Sequence, residues 1–137
     1  MTILDVRTTG RCEFVDVTRQ VQQCVSASGI EQGLCVCFVP HTTAAVTIQE
    51  NADPDVTRDL DYKLSDLIPQ HDREFRHSEG NSDAHLKSSV LGASQTLLVS
   101  DGRLVLGTWQ AIYFAEFDGP RHRRMHVQVM ADPSTSR

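Results

Sequence analysis

The sequence predicts an α+β domain in which a mixed, largely antiparallel sheet is flanked by helices, and three observations carry that expectation. Both ends of the chain alternate apolar and polar residues, the mark of half-buried strands. Internal segments change to helical spacing and carry helix start and stop signals. Strands gathered toward the ends, with no regular strand-helix alternation, point to α+β architecture.

Residues 2–8 and 12–18 predict two antiparallel strands joined by a turn at Gly10 and Arg11. Thr18 is placed to cap a helix over 19–28, with Val21, Cys24, Val25 and Ser28 on one stripe and Gly29 as its stop. Short apolar runs at 34–39 and 44–48, on either side of Pro40 and His41, predict buried strands. Asp53 can cap the next helix, Pro54 fits its first turn and Asp55 complements its dipole. Val56, Leu60, Leu64, Leu67 and Ile68 supply its apolar face, and Pro69 lies beyond its end.

Residues 70–82 are polar and aperiodic, a long loop of the functional or mobile kind. Asp83 is placed to cap a helix over 84–91 that Gly92 ends, before a strand at 96–99 and a turn at Asp101 and Gly102. A meander of strands at 103–107, 109–117 and 121–130 follows, turning at Asp118, Gly119 and Pro120, and the last seven residues are expected to fray.

A chain of 137 residues is expected to form a single domain over 1–137, and 39% hydrophobic with 23% charged residues is ordinary globular usage. A net charge of -5 gives no general attraction for nucleic acid or anionic membrane, and neither is an expected partner. The basic run Arg121, His122, Arg123 and Arg124 suits either a small anion or a solvated face. No run reaches membrane-spanning length and MTILDVRTTG lacks a signal-peptide core, so a cytoplasmic protein is expected. Cys12, Cys24, Cys35 and Cys37 would then be small hydrophobes; a thiolate metal pair at Cys35 and Cys37 lacks a second Cys-x-x-Cys.

Polar chemistry concentrates in His41-Thr42-Thr43, in Gln49 to Asp53, and between His77 and His85. His41, His77 and His85 supply the three imidazoles of an open catalytic site for zinc or another divalent transition metal, although their spacing matches no short metal signature. The alternative is three unrelated histidines. Glu79 and Asp83 can orient such imidazoles or accept a proton, or serve as loop solvator and helix cap. An anion site is the second hypothesis, with Thr42, Thr43, Asn51, Lys87, Ser88, Ser89, Gln110 and Arg121 as donors to a small phosphorylated metabolite. Glu116 shares an apolar strand face with Ile112 and Phe114, so it is either a catalytic residue or the mate of an arginine such as Arg121.

The segments HTTAAVTIQENADPDVTRDL (41–60), HSEGNSDAHLKSS (77–89) and LGASQTLLVSDGRLVLGTWQAIYFAEFDGPR (91–121) resemble the YjbQ-like family, UPF0047, in order and spacing. The family's HTS-type segment matches His41, Thr42 and Thr43; its ENxDP segment matches Glu50, Asn51, Asp53 and Pro54; its loop histidine matches His77. Its HxKSS segment matches His85, Lys87, Ser88 and Ser89, and GTWQ matches Gly107 to Gln110, with Glu116 following. The stretch before His85 is shorter than in relatives. The resemblance implies a sheet surrounded by helices, a homotrimer with pockets near subunit contacts, and a secondary thiamine-phosphate synthase activity. That reaction joins a hydroxymethylpyrimidine diphosphate to a thiazole phosphate with loss of pyrophosphate. A non-catalytic metabolite- or anion-binding trimer is the alternative.

Overall fold

Residues 1–133 are described in the structure, a computed structural model. In chain order the elements are β1 (Thr2–Arg7), β2 (Glu13–Asp16), α1 (Thr18–Ser28), β3 (Gly33–Phe38), β4 (Ala44–Glu50) and α2 (Pro54–Leu67). They continue with α3 (Ser82–Leu91), β5 (Ser94–Ser100), β6 (Arg103–Leu104), β7 (Gln110–Glu116) and β8 (His122–Ala131). The α+β expectation holds, but the strands form two sheets rather than one, ordered β1-β8-β3-β5-β6 and β2-β7-β4, with every pairing antiparallel.

The first two strands are not a hairpin. Leu4 of β1 lies opposite Met125 of β8, whereas Val15 of β2 lies opposite Phe114 of β7. The intervening segment carries the chain from one sheet to the other, held by Thr8 N–H to Arg121 O and Gly119 N–H to Arg11 O, each 3.0 Å. The expected C-terminal meander divides in the same way: β7 and β8 join different sheets, and the strand expected at 103–107 shrinks to Arg103 and Leu104. Of the expected frayed tail, residues 134–137 lie outside the described residues.

Strand alternation sorts the side chains. Val6, Cys35, Cys37, Leu97, Val99, Met125 and Val127 from the first sheet meet Ala44, Val46, Ile112 and Phe114 from the second, with Val21 and Val25 of α1 closing the core. The opposite face of the second sheet is also covered, Ala45 and Ala115 packing with Phe117 and Ala84 of α3. Burial on both faces explains why β4 and β7 are nearly continuous apolar runs in the sequence. Cys35 and Cys37 sit in the core as free thiols, and Cys12 and Cys24 are half-buried.

Two helix starts differ from their expected caps. The Asp53 carboxylate accepts the Asp55 N–H at 2.9 Å as expected, but Thr18 is inside α1, its own N–H bound by Asp16 Oδ1 at 2.9 Å. Asp83 does not cap α3; it is fully buried and accepts two hydrogen bonds from Arg11, at 2.9 and 3.0 Å, and one from Lys87 at 3.2 Å. The apolar stripe of α2 is only half sunk: no residue of that helix is buried, and Leu67 is exposed.

A second buried ion pair joins the sheets. Arg123 Nε donates to Glu116 Oε1 at 2.8 Å and Nη2 to Oε2, correcting the expected Arg121 partnership. Thr8 Oγ1 donates to the same carboxylate at 2.8 Å, and the Phe117 and Asp118 N–H groups donate to it at 3.1 Å. Burial pushes the Glu116 carboxyl upward, but Arg123 and these other donors more than offset it and hold the pKa below its ordinary 4.5. Burial likewise opposes the ionised form of Asp83, and Arg11 with Lys87 prevails, leaving its pKa below 3.8. Both native-state values are depressed, so these groups contribute stability at neutral pH that is lost as pH falls below about 4.5 and through their folded values. Glu116→Ala strands a buried guanidinium; denaturant titration is expected to show a loss of about 3–5 kcal/mol, against less than about 1 kcal/mol for Glu79→Ala on the surface.

Candidate functional site

Where the chain passes from β3 to β4 it leaves one sheet for the other, and Val39 to Thr43 line the crossing. Val39 N–H is tied to Ala93 O at 2.7 Å, which anchors this segment beside the exit of α3. Glu79, Asn81 and His85 face it from the long loop and α3; Asp118, Arg121 and Arg123 enter from the β7-to-β8 crossing. These residues with His41, Thr42, Thr43 and Phe38 enclose a cleft of about 580 Å³. An adjoining hollow of about 330 Å³ shares His41, Thr42 and His85 and adds Ser88 and Ser89.

His41 is half-buried, with its Nε2 accepting the Arg124 N–H at 3.0 Å. The neutral ring therefore carries its proton on Nδ1, a donor. Burial, and after it the charge of Arg123, lowers the His41 pKa from 6.5, so the ring is neutral at physiological pH. His85 meets His77 edge-on, with ring centroids 5.3 Å apart, and His77 Nε2 lies 3.6 Å from an exposed Glu79 oxygen. Ser88 Oγ lies within donating distance of Thr42 O at 2.7 Å and His85 O at 3.0 Å, linking α3 to the His41 segment, and Ser89 Oγ donates to His85 O at 2.8 Å. Arg121 reaches the rim, its Nε donating to Asp118 O at 2.7 Å and Nη2 to Asp118 Oδ2 at 3.1 Å.

Of the residues singled out from sequence, His41, Thr42, Thr43, Glu79, His85 and Arg121 share the main cleft, with Ser88 and Ser89 in the hollow beside it. His77 adjoins through its contact with His85 and lines a separate loop groove with His71 and Arg73. Asp83 and Lys87 are buried together on the other face of α3; Lys87 Nζ also donates to Ser65 Oγ at 3.2 Å and lies 5.8 Å from the Phe117 ring centroid, and it lines neither the cleft nor the hollow. Asn51 and Gln110 lie at the far end of the second sheet: Gln110 is six residue steps along β7 from Glu116, about 20 Å. There Gln110 Oε1 accepts the Gly107 N–H at 2.8 Å and Asn51 Nδ2 donates to Asp16 at 3.4 Å, so the GTWQ block builds a turn. Glu116 lies behind the cleft wall as the mate of Arg123.

Three polar residues of the cleft, Arg123, Asp118 and Asn81, are not among the site residues that the sequence points to. Arg123 belongs to the basic run that suits either a small anion or a solvated face, and its alternation with Met125 and Val127 turns it inward. Asp118 looked like a turn residue. Asn81 at the head of α3 carries no special pattern; its Nδ2 donates to Asp118 Oδ2 at 2.7 Å, and its Oδ1 is the buried side-chain polar atom without a partner among the described residues.

Among the described residues no group of three or more His, Cys, Asp or Glu side chains is gathered to hold an ion. The His41 Nε2 lone pair is already engaged by Arg124. The imidazoles as arranged therefore do not fit a three-histidine centre.

The UPF0047 protein YjbQ-like family pattern matches residues 2–132. The chain belongs to this family. It is 51% identical to the UPF0047 protein MJ1081 of Methanocaldococcus jannaschii over 93% of this chain and 91% of that protein. It is 49% identical to the UPF0047 protein YugU of Bacillus subtilis, covering 93% and 96%. A crystal structure of an uncharacterised YjbQ/UPF0047 protein from Clostridium acetobutylicum superposes with a TM-score of 0.93 at 46% identity, covering 95% of this chain and all of that one. A YbjQ-like protein of unknown function from Sulfolobus solfataricus gives a TM-score of 0.90 at 36% identity, over 96% of each chain.

The electrostatics of His41 are directly measurable. An NMR titration of the ring is expected to give a midpoint below 6.5, and Phe114→Ala, which opens the ring's packing, is expected to move it back toward that value. A midpoint above 6.5 would contradict a neutral His41 in the cleft.

Proposed function

We propose that this YjbQ-like chain is a cytoplasmic small-metabolite enzyme that acts on a phosphorylated substrate in the cleft of His41, His85 and Arg121. The observation carrying this is the meeting of a neutral imidazole, a second imidazole and a rim guanidinium in one concave site. Arg121 binds the phosphoryl group through its charge. His41 presents Nδ1–H to an oxygen on which negative charge grows, a role suited to a neutral donor fixed by its other nitrogen. His85 carries a proton to or from the reacting group.

Thiamine-phosphate synthesis is the reaction to assay first. In it a thiazole nitrogen forms a bond to the pyrimidine methylene carbon as that carbon's bond to the pyrophosphate oxygen breaks, and the electron pair leaves with pyrophosphate. Arg121 and His41 would stabilise the departing charge.

The unit of function is proposed to be a homotrimer. The outer face of the first sheet carries Leu34 opposite both Leu98 and Met130, all exposed, with Phe38 beside the cleft, and an apolar stripe of this kind on a sheet face suits a second copy of the chain. Light scattering is expected to give three chains, and Leu98→Asp to lower that number.

Pyrophosphate release should fall by about 100-fold or more in His85→Ala and Arg121→Ala. His85→Ala should keep most of its affinity for the thiazole phosphate. Binding without turnover in the unaltered protein would favour the non-catalytic anion-binding module instead.

A further inference from the structure

We infer that Arg123 forms the floor of the anion site, its Nη1 donating to one oxygen of the ligand's phosphoryl group while Arg121 covers it from the rim. This rests on the proposed binding of a phosphorylated ligand and adds the residue that would receive it. A guanidinium has five N–H donors. Arg123 spends Nε on Glu116 Oε1 at 2.8 Å and Nη2 on Glu116 Oε2 and on Thr43 Oγ1, the last at 2.8 Å. Nη1 makes no hydrogen bond among the described residues.

Arg123 is 5% exposed, yet the one buried side-chain polar atom without a partner among the described residues is Asn81 Oδ1, not Arg123 Nη1. Nη1 therefore keeps an opening, and the cavity that Arg123 lines is the main cleft. Its surroundings suit an incoming oxyanion. The guanidinium is held on two sides by Glu116 and Thr43, so little side-chain freedom remains to be lost on binding. The flat edge formed by Nε and Nη2 is taken by the Glu116 carboxylate, which leaves Nη1 to engage a single oxygen. Glu116 offsets much of the Arg123 charge, and Arg121, more than half exposed on the rim and held there by Asp118, brings a second guanidinium to the same site. His41 lines the same cleft as Arg123, so a phosphoryl group on Nη1 would share that cleft with the proposed donor.

The test uses the full chain labelled with nitrogen-15 and ethyl phosphate as the probe. On titration the Arg123 guanidinium signals are expected to shift along the same isotherm as the His85 ring. Arg123→Lys, which keeps a cation beside Glu116 but removes Nη1, is expected to weaken binding about tenfold or more, with circular dichroism unchanged. If Arg123→Lys fails to fold, the guanidinium signals of the unaltered protein decide. Should ethyl phosphate shift His85 and lose affinity in Arg121→Ala while the Arg123 signals stay still and Arg123→Lys binds normally, this inference is overturned and the cleft assignment stands. No binding of the ester at all overturns both.

Discussion

The Glu116–Arg123 pair is the constraint on which the arrangement of this protein depends. It joins the last residue of β7 to the second of β8, where the chain leaves one sheet for the other. Thr8 and Thr43 bind the same pair, so the ends of β1 and the His41 segment converge on it. A Cβ at Gly119 would lie 2.8 Å from Glu116 Cγ and 2.9 Å from Thr8 Oγ1, so the crossing closes around the pair only with glycine there. A buried ion pair is poor evidence of net stabilisation, because desolvation opposes its attraction. Its effect here is on geometry: two charges that must meet in the interior leave few alternative packings of the sheet ends.

A second buried network does the corresponding work on the opposite wall. Arg11, Asp83 and Lys87 anchor α3 to the segment between β1 and β2 and, through Ser65, to α2. Asp83 and Lys87, one turn apart, face inward with Ala84, while His85 and Ser89 face the cleft side. Histidines on α3 and on the β3-to-β4 crossing are thus held in relation to each other by two ionic clamps. Preorganisation of this kind lets a site stabilise developing charge without rearranging its own dipoles.

The elements legible in the sequence were those whose signals are local. Asp53, Pro54 and Asp55 mark the start of α2, and Gly29 ends α1 in the left-handed conformation. The His41-Thr42-Thr43 and His85 segments were recognisable because polar groups beside buried strands concentrate binding chemistry, and they share the cleft. Asp83, expected as a helix cap or proton acceptor, and Lys87, expected as an anion donor, instead satisfy each other in the interior, because the partner that completes the pair, Arg11, is 72 residues away in sequence. Asn51 and Gln110 misled because proximity to a strand end does not say which end of the sheet it is.

The sequence by itself determined which stretches are strands and helices, which faces are apolar and the family to which the chain belongs, because periodicity and motif order are properties of neighbouring residues. Only the tertiary structure decided that β1 joins β8 while β2 joins β7, that Glu116 meets Arg123 rather than Arg121, and that Arg123 lines the cleft. Those facts depend on contacts between residues as far apart as Thr8 and Glu116. Such contacts are selected by how two sheets pack around one core and where buried charges can be satisfied, and no local pattern along the chain encodes that choice.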